Sequence, residues 1–344
     1  MNFCSILYKV RGQVMVIVTG ATGHIGNVLV RQLIAKGEKV RVLILCGEDE
    51  SPIEGLDVEK VYGNICDLKS LIKAFSGVDI VYHLAGLISI SSGNSKALEK
   101  VNIEGTQNVV DACLNLGIKR LVYTSSVHAF AEPPFGKTMD EDTPLNPTKT
   151  AGEYGCSKAK ATLKVIDGID KGLDAIIVFP SGVIGPYDFK VSEIGSLIID
   201  YTNKKLKAYI GGMYNYVDVR DVAEGIILAG EKGRKGEKYI LSGENISVED
   251  MLLEIKTSTG IEMPSFKAPY WMAYTGAFFS PLYCKITKTR PRFTTYTLHV
   301  LKSNSMMSHE KASKELGYSP RPIRQSISDS VKWFWKNGKI VLQS

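Results

Sequence analysis

At 344 residues, with 44% apolar and 23% charged residues, the chain has the make-up of a globular protein, large enough for one main domain with a smaller one attached. Its formal net charge of +6 is spread over scattered Lys and Arg, which does not indicate nucleic-acid binding. Five histidines without HxxxH or HxH spacing give no metal motif, and six cysteines without CxxC or framework spacing read as reduced thiols of a cytoplasmic protein.

Residues 1–14 lack the positive n-region, apolar h-region and cleavage site of a secretory signal. The codons of Arg11 and Gly12 can spell a purine-rich stretch just upstream of the Met15 codon, so translation is expected to start at Met15. A native peptide containing Phe3 to Lys9 would refute that. From Met15 the chain alternates. "MVIVTG" (15–20) is an apolar strand, "NVLVRQLIAKG" (27–37) a helix with a Gly stop, and "KVRVLIL" (39–45) the next strand. "VEKVYGN", the helix "LKSLIKAFSG", the strand "VDIVYHLAG", the helix "LEKVNIEGTQNVVDACLNLG" and the strand "RLVYTSS" continue the rhythm. Strands alternating with helices of this length predict βαβ units and a parallel sheet. A helix carrying "GEYGCSK" (152–158) leads to one further strand, "DAIIVFPSGVIGP" (174–186), and "VDVRDVAEGIILAGE" (217–231) reads as a strand and helix.

The expected fold is therefore α/β, a Rossmann-type doubly wound parallel sheet with a smaller, discontinuous C-terminal substrate domain. Residues 15–186 and 216–239 are assigned to the first part, and 187–215 and 240–344 to the second. No run reaches the roughly 18 apolar residues of a membrane span. The nearest, "PYWMAYTGAFFSPLYC" (269–284), is broken by Gly276 and Pro281 and reads as a buried helix, a lid over an apolar substrate, or a membrane-surface contact.

"TGATGHIG" places Gly20, Gly23 and Gly26 three apart, after a strand and before a helix. Glycines there permit a tight turn and close backbone approach to a pyrophosphate, and the helix N-terminus supplies free N–H groups. Tyr154 and Lys158 stand four apart, on one face of their helix, where a phenol and an ammonium reach the same point; alone, such a pair is a common surface feature.

Taken together, these motifs resemble the extended short-chain dehydrogenase/reductases. The G-x-x-G-x-x-G spacing is met in order by "VYHLAG" (81–86), "VNIEGTQNVVDAC" (101–113), "VYTSS" (122–126), "YGCSK" (154–158), "FPSGVIGP" (179–186) and "YVDVRDVAEG" (216–225), the last resembling a strand and helix that re-enter the sheet. The resemblance implies that Tyr154 is the general acid/base and that Lys158 tunes it and binds the nicotinamide ribose. Ser126, preferred to Ser125, holds the substrate oxygen, and Asn102 holds a proton-relay water. It also implies NAD or NADP contacts at Gly20, Gly23, His24, Ile25, Gly26, Asn64, Ile65, Leu84, Ala85, Gly86, Thr124, Tyr154, Lys158, Pro180 and Val183. His128, Ser181 and Tyr187 are candidates for the substrate pocket, no metal is implied, and a homodimer is an expected assembly. An ammonium beside the phenol, together with the positive charge of oxidised nicotinamide, is expected to lower the Tyr154 pKa. Family members choosing NAD carry an Asp at the end of the second strand, and those choosing NADP an Arg one residue later. Here those places hold Ile44 and Leu45, which favours NAD, with Arg41 or the 46–50 loop able to reverse the choice.

Within this branch, dehydratases need an acid and a carboxylate after the Ser, whereas this chain has "SSVHAF". Sugar-nucleotide epimerases carry Arg and Asn where Phe179 and Gly182 stand. The chain is more similar to the dihydroflavonol-reductase and 3β-hydroxysteroid-dehydrogenase group and the hopanoid-associated epimerase-like proteins. The function this implies is NAD(P)-dependent interconversion of an alcohol and ketone on an apolar small molecule. The alternatives are a sugar-nucleotide epimerase and a non-catalytic redox sensor, the latter class commonly lacking the Tyr/Lys pair.

Overall fold

The computed structural model describes residues 14–88, 95–276, 295–303 and 305–341. Its first half yields six strands: β1 Met15–Thr19, β2 Lys39–Ile44, β3 Glu59–Tyr62, β4 Ile80–His83, β5 Arg120–Thr124 and β6 Ala175–Pro180. Between them run α1 His24–Ala35, α2 Leu68–Phe75, α3 Ser95–Leu98, a π-helical stretch Glu99–Glu104, α4 Gly105–Leu116 and α5 Gly152–Asp170. All neighbouring strands pair in parallel, β1 lying between β2 and β4. The chain thus winds outward in both directions from β1, and the C-terminal strand ends face one crevice, the place where open α/β sheets bind ligands.

Both faces of the sheet are covered, which is why the strands read as unbroken apolar runs. Val16 and Val18 join the core under α1, with Val28, Leu29 and Leu33. Ile17, between them, joins the opposite core, with Phe75 of α2, Val109 and Val110 of α4 and Val165 of α5. Successive side chains of a strand point to opposite faces, so one five-residue segment holds the two layers together.

A second, smaller layer follows. The 174–186 segment, expected as one strand, breaks after Pro180, and Gly182–Ile184 forms β7 in a different sheet. Proline has no N–H to continue a ladder, and the Ser181 amide turns to the carbonyl of Leu241. After α6 Glu193–Thr202 and the short β8 Ala208–Tyr209, β9 Met213–Asp218 pairs with β7 rather than re-entering the main sheet. Only the helix of that expected pair, α7 Val219–Lys232, returns, to cover the main sheet beside α1. The main sheet is completed by β10 Lys238–Leu241, parallel to β6, so a division after residue 239 falls inside a strand. β11 Glu244–Ser247 pairs antiparallel with β9. Helix α8 Val248–Thr259, α6 and a helix Ile323–Lys336 close over this sheet with Ile198, Tyr201, Leu252, Ile255, Ile327 and Phe334 buried.

Of the apolar 269–284 stretch, residues 270–276 are helical, with the Tyr270 hydroxyl donating to the Gly211 carbonyl at 2.8 Å while Trp271 is exposed; 277–284 lie outside the described residues, as do 1–13. Among the described residues no helix is long and apolar enough to cross a membrane, and no cluster of His, Cys, Asp or Glu is placed to hold a metal.

Candidate active site

The crevice begins where β1 ends. Gly20 adopts φ 73°, and a Cβ there would stand 2.7 Å from the Ala85 amide, so both conformation and space require glycine. A Cβ on Gly26 would collide with the Gly20 carbonyl, so α1 rests directly on the turn, with the Gly23 amide bonded to that carbonyl at 3.0 Å. His24 and Ile25 open α1, and the His24 ring meets the Pro186 carbonyl at 3.0 Å. The opposite rim is made by Leu84, Ala85 and Gly86, with the Leu84 and Ala85 amides each donating to Thr19 Oγ1 at 3.2 Å. Ile65 is buried against Gly105, and Asn64 Oδ1 accepts from the Cys66 amide at 2.9 Å, closing a local turn.

The C-terminal ends of β5 and β6 carry the polar groups of the opposite half. Lys158 is buried, its Nζ donating to the Thr124 carbonyl at 2.8 Å and lying 4.8 Å from the centre of the Tyr123 ring. Tyr154 stands one helical turn earlier on α5, and Ser126 follows β5, its Oγ accepting from the His128 amide at 3.3 Å. Ser125 points the other way. Thr162 donates its hydroxyl proton to the Lys158 carbonyl at 2.8 Å, so Ser125 Oγ, 2.7 Å away, donates to Thr162 and serves the packing of β5 on α5.

Burial raises the Tyr154 phenol above its ordinary value; the Lys158 charge lowers it, as expected, but offsets only part of this, and burial lowers the Lys158 ammonium. Desolvation outweighs the mutual effect of the pair even though Tyr154 is half-buried while Lys158 is buried.

Asn102 is tied into the protein on two sides. Its Oδ1 accepts from the Leu87 amide at 2.7 Å, while Nδ2 donates to the Leu87 carbonyl at 3.0 Å and to Ser157 Oγ at 2.9 Å. With both amide protons engaged, the side chain pins the 84–88 rim to α5, and Ser157 passes the bond on to the Tyr154 carbonyl at 2.8 Å.

His83, in a motif whose neighbours alone drew attention, is fully buried beneath this group. Thr19 Oγ1 already receives two amide protons, so its own proton goes to His83 Nδ1 at 2.7 Å, and the ring proton sits on Nε2, facing Thr106 Oγ1 at 3.2 Å. Burial, aided by the nearby Lys158 charge, depresses its pKa to about 3, so the ring is neutral.

Beyond Tyr154 opens a cavity of about 260 Å³, lined by Leu197, Tyr209, Ile246, Met251 and Leu252 of the smaller layer among others. His128 lines its inner end, with its ring 6.2 Å from that of Tyr154, its Nε2 2.9 Å from the Tyr214 hydroxyl and the Tyr296 ring 5.9 Å away. Tyr296, whose buried hydroxyl has no hydrogen-bond partner, was given no role by the sequence motifs, and neither was Tyr214. Tyr187 lies elsewhere: its ring stacks under the Arg31 guanidinium at 4.8 Å and meets Trp333 at 6.3 Å, outside the cavity lining. Pro180 ends β6, which pairs with β5 up to Thr124, Ser181 links it to β7, and Val183 lies within β7.

The crevice suits a dinucleotide: the glycine turn has no room for side chains, and Thr124 Oγ1 and Ser181 Oγ are buried without hydrogen-bond partners at its inner end. The model of the NAD dependent epimerase/dehydratase family matches residues 16–242. The chain belongs to that family. It is an enzyme, an NAD-dependent oxidoreductase of the extended short-chain type. It is similar to "Sterol demethylase protein B" of Methylococcus capsulatus, 34% identical with 94% of this chain and 99% of that one covered. A "Putative dihydroflavonol 4-reductase" of Synechocystis sp. is 32% identical over 95% of this chain and 96% of its own. Among solved structures, the crystal structure of gox2253 superposes with a TM-score of 0.84 at 36% identity, covering 96% of this chain and all of that one.

Proposed function

We propose that this enzyme interconverts a secondary alcohol and a ketone on an apolar, polycyclic small molecule of the steroid or flavonoid kind. The observation that carries this reading is the juxtaposition of Tyr154, Ser126 and Lys158 with a large cavity whose described lining contains no Lys or Arg. A nucleotide diphosphate needs cations, so the lining speaks against a sugar-nucleotide substrate. The similarity to a sterol demethylase protein and a putative dihydroflavonol reductase supports a polycyclic substrate.

In this mechanism the substrate oxygen is held by Ser126 and meets the Tyr154 hydroxyl. The raised phenol pKa keeps Tyr154 protonated at neutral pH, the form that gives its proton to a ketone oxygen during reduction. Oxidation needs the phenolate, which the Lys158 charge favours against burial. The nicotinamide, when bound, supplies or accepts the hydride. Gly20, Gly23 and Gly26, with Leu84–Gly86, would hold its pyrophosphate, and Thr124 and Ser181 the polar edge of the nicotinamide end. Asn102 acts by position, fixing the rim and the first turn of α5. The main sheet with α7 forms the cofactor part and the β7–β9–β11 layer the substrate part. A homodimer through α4 and α5 is part of the proposal, and a single-chain mass by light scattering would remove it.

The test is to incubate the protein with NADH and with NADPH against ketosteroids, flavanonols, aldehydes and UDP-sugars, following absorbance at about 340 nm and product isomers. Cofactor oxidation with a polycyclic ketone is expected. Conversion of UDP-sugars alone, without net cofactor oxidation, would overturn the reading.

A further inference from the structure

Tyr154, His128, Tyr214 and Tyr296 come together beside the inner end of the cavity. Tyr154 belongs to the reaction, and the Tyr214 hydroxyl and His128 Nε2 satisfy each other at 2.9 Å. Tyr296, on a helix at Thr295–Lys302, is different. Its ring packs against the start of α5: a Cβ on Gly152 would stand 2.9 Å from Tyr296 Cδ2, and Gly152 itself adopts φ 66°. Conformation and space both keep a side chain off this seat, two residues before Tyr154. The Tyr296 ring lies 5.9 Å from that of His128, which in turn is 6.2 Å from that of Tyr154. Yet the Tyr296 hydroxyl is buried with no hydrogen-bond partner among the described residues. Burial, aided by Tyr154 and Glu132 nearby, raises its pKa, so it is a protonated donor at neutral pH. A buried donor left unpaired costs about 1–3 kcal/mol, a cost that an acceptor on a ligand would remove.

We propose that Tyr296 is a specificity residue whose hydroxyl donates to a second, uncharged oxygen of the substrate, carried on the carbon next to the reacting one. This rests on the ketone-reducing reading above and adds the group that the substrate bears beside its reacting oxygen. The second oxygen follows from counting: a carbonyl oxygen offers two lone pairs, and in that mechanism Ser126 and Tyr154 take both. A third donor needs an acceptor of its own. Its place beside the first oxygen follows from the seat of Tyr296 on the first residue of α5, close to Tyr154. The acceptor is neutral, because the described lining of the cavity holds no Lys or Arg, and the Glu132 carboxylate, paired with His299 at 2.8 Å, already acts on Tyr296. A substrate carboxylate brought there would meet a like charge with no cation to match it. A hydroxyl or a carbonyl meets neither penalty. Tyr296 transfers no proton, a task that stays with Tyr154. A plain ketone binds with the Tyr296 donor still unpaired, and that difference separates the two kinds of substrate.

The experiment measures kcat/KM for reduction of matched ketones by wild type and Tyr296→Phe, with NADH and with NADPH. One pair is a flavanonol and the flavanone lacking its hydroxyl beside the carbonyl; the other is a 2-hydroxy-3-ketosteroid and the plain 3-ketosteroid. On the skeleton that the enzyme reduces, wild type is expected to favour the hydroxylated member by at least about tenfold, the worth of one hydrogen bond. In Y296F that ratio should fall to about one. A wild-type ratio near one, or a ratio that survives in Y296F, would overturn the assignment while leaving ketone reduction intact. Reduction of none of these ketones would sink the functional reading, and this inference with it. Faster oxidation of a 3-hydroxysteroid bearing a 4-carboxylate than of its 4-hydroxy counterpart would overturn the neutral acceptor. The melting temperature without ligand is an independent check. Y296F deletes a buried hydroxyl that has no partner and should melt no lower than wild type. A clear fall in Tm, or failure of Y296F to fold, would show that the hydroxyl is already used within the protein and would refute its role toward substrate.

Discussion

The main sheet and the smaller β7–β9–β11 layer differ in how their residues find one another. In the first, strand and helix alternate along the chain, and each chemical group sits at the end of a buried strand or on the first turns of a helix packed upon it. In the second, three short strands come from segments 182–184, 213–218 and 244–247, and the cavity wall is assembled from residues far apart in sequence. In the function proposed above, the reacting groups stand on the part with local, mutually supporting geometry, and the substrate is chosen by the part built from distant pieces.

The sharpest way to break this division of labour is Tyr154→Phe. Turnover should fall by about 10² to 10⁴, the usual worth of a positioned acid/base, while calorimetric cofactor binding persists. Unchanged turnover would remove Tyr154 from the chemistry. On the cofactor side, Gly26→Ala forces a methyl group into the Gly20 carbonyl. It should cost about 1–3 kcal/mol in a denaturant titration and abolish dinucleotide binding. In the smaller layer, Leu197→Trp fills the cavity, and KM should rise roughly tenfold or more with cofactor affinity unaltered; loss of both together would show that the two parts are not separable.

The smallest effect concerns pH. His128 lies between the two parts, and burial depresses its pKa from 6.5 to about 4. The unfolded chain then binds more protons below about pH 6.5, so this stabilising contribution is complete above that value and is lost as pH falls through about 4. His128→Asn should flatten the fall in Tm between pH 6.5 and 4; an unaltered slope would assign it to other groups, His83 first among them.

Much of the first region was legible because its signals are local. The glycine spacing, the four-residue step from Tyr154 to Lys158 and the apolar runs need only neighbours to interpret. Ser126 and Ser125 differ in which side of β5 they face, a period-two property that motif order already encoded. Less legible was anything set by depth or by a returning chain. The upward Tyr154 shift depends on how much protein covers the phenol. The bonds from Asn102 to Leu87 and Ser157 join segments far apart in the chain, which its motif does not display. The strand Met213–Asp218 pairs with β7 although the helix after it covers the main sheet.

The π-helical stretch before α4 has a consequence for how the gene tolerates change. Within Glu99–Glu104 the helix holds one residue more per turn than an α-helix, and the Gly105 amide reaches back five residues, to Lys100. The surplus residue is taken up inside this one wide turn, with the Gly105–Lys100 bond standing where an i→i+4 bond would. Loss of one codon there would narrow the turn to ordinary α-helical winding and shift the residues within it around the axis. Asn102 would then leave Leu87 and Ser157 together. A one-codon deletion in this stretch should therefore do more harm than replacing Asn102 alone, and the length of the segment is as much a part of the site as its residues.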